Sequence, residues 1–249
     1  MNGFEKHNIG HLSASSINLW TNAPDVWVAR YLLKKSTPFG PAPERGKSVE
    51  KAVVHTLMGE DFETAMKGAL DDFDRRFLIG DEKTTKERDL IRPMAEIAID
   101  ELKEYGAPEF ETGTDQEKIN ITANGGDWKI AIWGFLDLVY PKHGLVVDLK
   151  STTRIPSKMS ADHQLQRAIY AKAKGNSAVK FLYVSAKKAA WLEDGDVAET
   201  LARAKTQIAR MEKFLSLHDA DSAAACVPVN PNSFYWNGAE SLRSEIFGL

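Results

Sequence analysis

Asp137, Asp148 and Lys150 lie inside an otherwise apolar stretch, KIAIWGFLDLVYPKHGLVVDLK, over residues 129–150. Runs 130–140 and 145–149 are β-branched, aromatic and aliphatic, and Pro141-Lys142-His143-Gly144 separates them, which predicts an antiparallel hairpin with a four-residue loop. Side chains alternate along a strand, so Val146, Asp148 and Lys150 share one face and Leu145, Val147 and Leu149 the other. A symmetric loop pairs Tyr140 with Leu145 and thereby sets Asp137 opposite Asp148. Carboxylates directly across a ladder repel each other. A fold that keeps both needs positive charge between them, either the Lys150 ammonium or a divalent metal. Oxygen ligands on strands suit Mg²⁺ or Mn²⁺ rather than zinc, which takes His and Cys. Read alone, the trio is equally a structural Asp–Lys cluster on the polar face of an ordinary hairpin.

The rest of the chain must supply the scaffold. With 249 residues and 43% apolar content it is long enough for one substantial core. The expectation is a single domain over residues 1–249, with a helical segment at about 60–106 and a C-terminal helix at about 196–218. No run of 18 or more apolar residues and no leader-like start is present, which points to a soluble, cytoplasmic protein with no membrane partner. Cys226 is the only cysteine, which excludes an internal disulfide, a cysteine zinc site and a four-cysteine iron–sulfur cluster within one chain. The net charge of −3 argues against avid non-specific nucleic-acid binding. Between Lys150 and Lys188, however, nine Lys and Arg residues stand against one acid, Asp162, and a polyphosphate partner could use such a face.

Along the chain, Ser13, Ser15 or Ser16 caps a short helix carrying Ile17, Leu19 and Trp20, and Pro24 restarts a second with Trp27 and Tyr31. Residues 36–43, with Pro38, Gly40, Pro41 and Pro43, read as a loop. A helix after Gly46 buries Val49, Ala52, Val53 and Leu57 and leaves Glu50 near its first turn, where the dipole favours an acid without any metal. His55 reads as a packed or exposed helix residue. Phe62, Met66, Leu70, Phe73 and Phe77 mark one further helix, and Pro93 to Tyr105, stopped by Gly106, another. A strand at 116–122 leads through Asn124-Gly125-Gly126 into the hairpin, with Glu117 expected to face solvent and the site as the alternative direction. After a polar loop at 151–160, a helix at 161–174 puts Gln166 and Tyr170 one turn apart on a common face. A second hairpin at 180–193 follows. Apolar positions 197, 201, 204, 208, 211 and 215 then predict an amphipathic helix packed on the sheet, with an oligomer seam as the alternative. Phe234-Tyr235-Trp236 reads as core or interface, with stacking on bases as an alternative that no other feature of the sequence supports.

In chain order these residues form four motifs: Gly46 with Glu50, Gly134-Phe135-Leu136-Asp137, Asp148-Leu149-Lys150, and Gln166-Arg167-Ala168-Ile169-Tyr170. Their order and spacing resemble the PD-(D/E)xK nuclease superfamily, and within it the branch of RecB nuclease domains and phage lambda-type exonucleases. That branch has a glycine followed four residues on by Glu or His, then G-x-x-D, then (D/E)-x-K after a hairpin, then Q-x-x-x-Y on a helix. The opening LSASSINLW is also similar to the N-terminal segment of RecB-like members, so the likeness spans about residues 11–185. Glu50 stands where many RecB-like members carry histidine, which looks more like the lambda-type version. The cysteines of the iron–sulfur members are missing, and helicase motifs are not seen.

The resemblance implies an α/β, restriction-endonuclease-like core, a mixed sheet of four to five strands flanked by helices. It implies a Mg²⁺-dependent deoxyribonuclease, with Mn²⁺ able to substitute, acting as an exonuclease in recombination, repair or phage DNA processing, in the host cytoplasm for a phage protein. DNA is then the partner, with room for a homo-oligomer and for an annealing protein or helicase. Asp137, Asp148 and Glu50 would hold one or two ions, with the Leu149 main-chain carbonyl as a further ligand. Lys150 would orient or deprotonate the attacking water, its pKa lowered between a cation and apolar strands. Gln166 would position the nucleophile or the DNA backbone. Tyr170 would brace its helix against the sheet, and Lys47, Arg154, Lys158 and Arg167 would contact phosphates, these five forming the DNA-binding set. Two alternatives share the motifs: an endonuclease for branched or flapped DNA, and a non-catalytic DNA-binding module. Intact Glu50, Asp137, Asp148 and Lys150 argue against the module.

Overall fold

The computed structural model describes residues 2–38, 40–78, 80–110, 116–121, 128–175 and 177–248. The Asn124-Gly125-Gly126 turn expected between two strands lies outside the described residues. From the N-terminus the chain forms α1 (Gly3–Lys6), β1 (His11–Leu12), α2 (Ala14–Asn22), α3 (Pro24–Tyr31), α4 (Pro41–Leu57), α5 (Phe62–Arg76), α6 (Glu82–Asp89) and α7 (Ile91–Leu102). There follow β2 (Glu117–Ile121), β3 (Ala131–Leu136), β4 (Leu138–Tyr140), β5 (Leu145–Ser151) and α8 (Ala161–Lys174). The chain ends with β6 (Ala178–Val184), β7 (Ala189–Leu192), α9 (Val197–Leu217), α10 (Ala220–Cys226) and α11 (Glu240–Phe247).

The expected α/β class holds, with a mixed four-stranded sheet in the order β4-β5-β6-β7, in which β5 and β6 are parallel and the outer pairs antiparallel. Its two faces carry two cores. Val139, Val146, Phe181 and Tyr183 point to one, closed by α2, α3, α8 and α9. Leu138, Val147, Leu149 and Leu182 point to the other, closed by α4, α5 and α7. This alternation along β5 is the one the sequence predicts.

The predicted hairpin is right in register and incomplete in extent. Leu138 pairs with Val147 and Tyr140 with Leu145, and the loop is a 3₁₀ turn over Pro141–His143 closed by Gly144 in the left-handed region (φ 57°). The run 130–140, however, breaks at Asp137. Upstream of the break β3 leaves β5 and enters a second sheet, β1-β3-β2. The Asp137 side chain accepts the Leu149 N–H at 3.0 Å, so a carboxylate ends the ladder where a strand would otherwise continue it.

Several expectations need correcting. Helix α4 begins at Pro41, not after Gly46, because prolines in a first turn lack only N–H groups that have no intrahelical partner there. Glu50 therefore sits in the middle of the helix. Helix α6, EKTTKERD, has no apolar period to announce it, and Asp81 caps it by accepting the Thr84 N–H. It supplies Glu87, the partner of the buried Arg45 on α4, whose guanidinium also donates to the Ser151 carbonyl at 3.1 Å and so ties α4 to the end of β5. Helix α9 packs mainly on α8 and α1, and through them closes the core on one face of the sheet. Glu117 is buried, not solvated, and pairs with Lys174 at 2.8 Å. Elsewhere the local signals hold: Ser13 caps α2, Pro24 opens α3, and Ser160 caps α8.

Candidate functional site

Asp148 is fully buried in the middle of β5, and Asp137, 7% exposed, stands at the bend facing it. Asp148 Oδ2 lies 2.5 Å from the Lys150 ammonium, a tight ion pair at a fully buried carboxylate. Its Oδ1 accepts from Gln166 Nε2 at 2.7 Å. Burial raises the pKa of both carboxyls; for Asp137 the neighbouring Asp148 and Glu50 add to the rise, while Lys150 opposes it for each. Burial on its own would depress the Lys150 ammonium, yet Asp148 and Asp137 outweigh it and its pKa is raised. Beside the two carboxylates Lys150 is therefore a cation held by them.

Glu50 reaches the same place from α4. Gln116 bridges it to the strands, its Nε2 lying 2.5 Å from Glu50 Oε1 and 3.3 Å from Asp137 Oδ1. Gln116 was not singled out from the sequence, since one amide before a strand carries no pattern. The structure thus brings Glu50, Asp137, Asp148, Lys150 and Gln166 together from α4, β5, α8 and the bend between β3 and β4.

Helix α8 completes the arrangement. Gln166 Nε2 donates to the Tyr170 hydroxyl at 2.7 Å, and that hydroxyl donates to the Phe135 carbonyl at 2.6 Å. Burial, then the nearby carboxylates, pushes the Tyr170 pKa well up, so the phenol keeps the proton this bond needs. Tyr170 braces α8 against β3, and Gly134 makes the space: a Cβ there would stand 2.9 Å from Tyr170 Cε1 and 3.2 Å from the Ile119 side chain. Gly134→Ala is accordingly expected to destabilise the fold by about 1–3 kcal/mol through overpacking. It should also lower activity by shifting Tyr170 and, through it, Gln166; thermal melts and initial rates together check this. His163, on the same helix, shares a 2.5 Å hydrogen bond with the Tyr183 hydroxyl, and burial, followed by the Lys150 charge, lowers its pKa to about 4. It is a neutral imidazole at neutral pH.

Two clefts flank the acids. One, about 740 Å³, is lined by Asp137, Gln166, Tyr170 and His163 among others; the other, about 900 Å³, by Glu50, Lys51, Arg75 and Arg76 among others. Lys47, Gln116 and Phe135 line both. Of the expected phosphate contacts, Lys47 is at the clefts, where it also pairs with Glu44 at 3.2 Å. Arg154 and Lys158 are exposed on the loop after β5. Arg167 faces away from the acids, donating to the Val179 and Gly195 carbonyls at 2.9 and 3.2 Å. The basic run 150–188 does not make one face, because Lys150, Lys174 and Lys180 each pair with an acid in a different place.

Among the described residues no three Asp, Glu, His or Cys side chains already stand at metal-ligand spacing. The Gln116 amide intervenes between Glu50 and Asp137, and Lys150 sits on Asp148 Oδ2. The donor set nonetheless fits a hard divalent cation. Two buried carboxylates, both raised by burial and Asp137 further by the neighbouring Asp148, present the oxygen pair that Mg²⁺ or Mn²⁺ takes. Among the described residues no helix is long and apolar enough to cross a membrane. The family model described as PD-(D/E)XK nuclease superfamily matches residues 11–233. No curated protein matches the chain.

Proposed function

The chain belongs to the PD-(D/E)XK nuclease superfamily, and from this premise we propose that it is a Mg²⁺-dependent DNA exonuclease, with Mn²⁺ able to substitute, whose single nuclease domain spans residues 1–249. The observation that carries the reading is the convergence of buried Asp137 and Asp148 with Lys150 and Gln166 beside two clefts. Asp137 and Asp148 would hold the ion, with Glu50 joining when Gln116 swings aside and the Leu149 carbonyl as a further ligand. A bound divalent ion supplies Lewis-acid charge next to the scissile phosphate and a water of lowered pKa.

The chain's own groups do the rest. Lys150 keeps a positive charge against developing negative charge on the phosphate and orients the attacking water. Gln166 fixes the Asp148 carboxylate through one N–H and is itself fixed by Tyr170. Lys47, with Arg154 and Lys158 on the adjoining loop, contacts phosphates. The exonuclease assignment, and a setting in recombination, repair or phage DNA processing with an annealing or helicase partner, are supported by the likeness of the four motifs to RecB-like and lambda-type enzymes.

End-labelled linear duplex, linear single strand and closed circular DNA, each with Mg²⁺, Mn²⁺ or EDTA, test the reading. Loss of linear DNA alone, abolished by EDTA, is expected. Nicked or linearised circles would replace the exonuclease with an endonuclease, and retarded but uncut DNA under every metal would leave a binding module.

A further inference from the structure

The β1-β3-β2 sheet buries one face and shows the other. On β3, Ile132 and Leu136 enter the core, while Trp133 and Phe135 alternate to the opposite side. On β2, Ile119 and Ile121 are buried, and the exposed Lys118 and Asn120 pair with Phe135 and Trp133. The rings on this outer face are ordered. His11 stacks on Trp133 with centroids 3.8 Å apart and planes 13° apart, and Lys118 Nζ stands 3.5 Å from the Trp133 centroid. Phe135 is 50% exposed. Strand rise sets Phe135 about 7 Å from Asp137 along the chain, and Trp133 about 14 Å.

An exposed phenylalanine two residues from a buried acid contributes little to packing, and it lines both clefts. Tyr235 lines the cleft of about 740 Å³ from the C-terminal segment, with Phe234 packed on it at 4.0 Å between centroids. Among the described residues lining that cleft, Lys47 is the one Lys or Arg. Its walls are therefore suited to rings more than to phosphates. A duplex hides the faces of its bases in the stack, whereas a single strand offers them, and aromatic side chains hold such bases with little sequence preference.

We propose that the cleft along β3 is a base-stacking subsite for single-stranded DNA, in which Phe135 and Tyr235 hold unpaired bases beside the scissile phosphate. The inference rests on the nuclease reading and narrows it: the preferred substrate is a single strand or an unpaired end, not a fully paired duplex.

The test is equilibrium binding by fluorescence anisotropy, in EDTA and on an Asp148→Asn background that removes turnover. Three labelled probes are compared: a single strand, a blunt duplex of the same sequence, and the same strand with abasic sites. The single strand should bind most tightly. Phe135→Ala and Tyr235→Ala should each weaken it about 5- to 150-fold and leave duplex binding unchanged. The abasic strand should bind weakly and lose nothing further on Phe135→Ala. Phe135 is half exposed, so its removal spares the core, and Tyr235 is an independent second variant. Equal effects on strand and duplex, or a Phe135→Ala loss that persists on the abasic strand, overturn the subsite. Wild-type cleavage with Mg²⁺, assayed in parallel, separates the two ideas. Cleavage without this coupling sinks the subsite and leaves the nuclease; Phe135-dependent strand binding without any cleavage does the reverse.

Discussion

Lys150→Ala is expected to lower DNA cleavage by about 10²- to 10³-fold, the usual worth of one preorganised group stabilising developing charge, with no rescue by Mn²⁺. Lys150 is paired with the buried acid: its ammonium lies 2.5 Å from Asp148 Oδ2, and its pKa is raised by Asp148 and Asp137. The variant should carry a second signature. Asp148 is fully buried, so removing Lys150 leaves a buried carboxylate without its ion pair, a loss on the order of 3 kcal/mol for the metal-free protein. A saturating divalent ion supplies the missing positive charge and should recover most of that stability but not the rate. Melts in EDTA and in Mg²⁺, alongside initial rates, check both halves. Undiminished metal-dependent cleavage by Lys150→Ala would sink the proposed mechanism.

Divalent cations should stabilise the wild-type fold, and Asp137→Asn should abolish that dependence. An ion present at a hundred times its Kd adds about 2.7 kcal/mol, which for a chain of this size raises Tm by roughly 5–10 °C. In the metal-free protein the two carboxyls have raised folded-state pKa values. The stability they contribute is therefore present below the ordinary carboxylate range and lost as pH rises through those raised values. Ionising them in the apo fold costs burial of the charge and, for Asp137, repulsion from Asp148 and Glu50. Asp137→Asn retains an acceptor for the Leu149 N–H but removes one of the charges. It should melt higher than wild type in EDTA at neutral pH and depend less on pH. It should also lose the Mg²⁺ shift, along with cleavage. An unchanged Mg²⁺ shift in Asp137→Asn would remove Asp137 from the metal site.

Local chemistry made much of this molecule readable. Ser13, Pro24 and Ser160 mark helix starts because their side chains or missing N–H groups act within one turn. The hairpin register followed from its loop, and the inward and outward faces of β5 from strict alternation. The pairing of Gln166 with Tyr170 followed from one helical turn. What failed to show was what depends on distant segments. Helix α6 has no apolar stripe and is held by ion pairs such as Arg88 with Asp74, whose partner lies on α5. Glu117 looked like a surface acid until α8 brought Lys174 to it.

The acids, the lysine and their order were legible in the chain, as were the strand that bears Asp148 and Lys150 and the helix that bears Gln166, since these are set by residue type and short-range period. That the 130–140 run breaks at Asp137 into two sheets emerged with the folded contacts, because it depends on the Leu149 N–H and on the fit of Tyr170 over Gly134. Those contacts also decided that Gln116 joins Glu50 to Asp137 and that Arg167 serves the fold rather than a phosphate. Contacts between residues this far apart in the chain leave no periodic trace in it; they exist once the two cores have closed on opposite faces of the β4-β5-β6-β7 sheet.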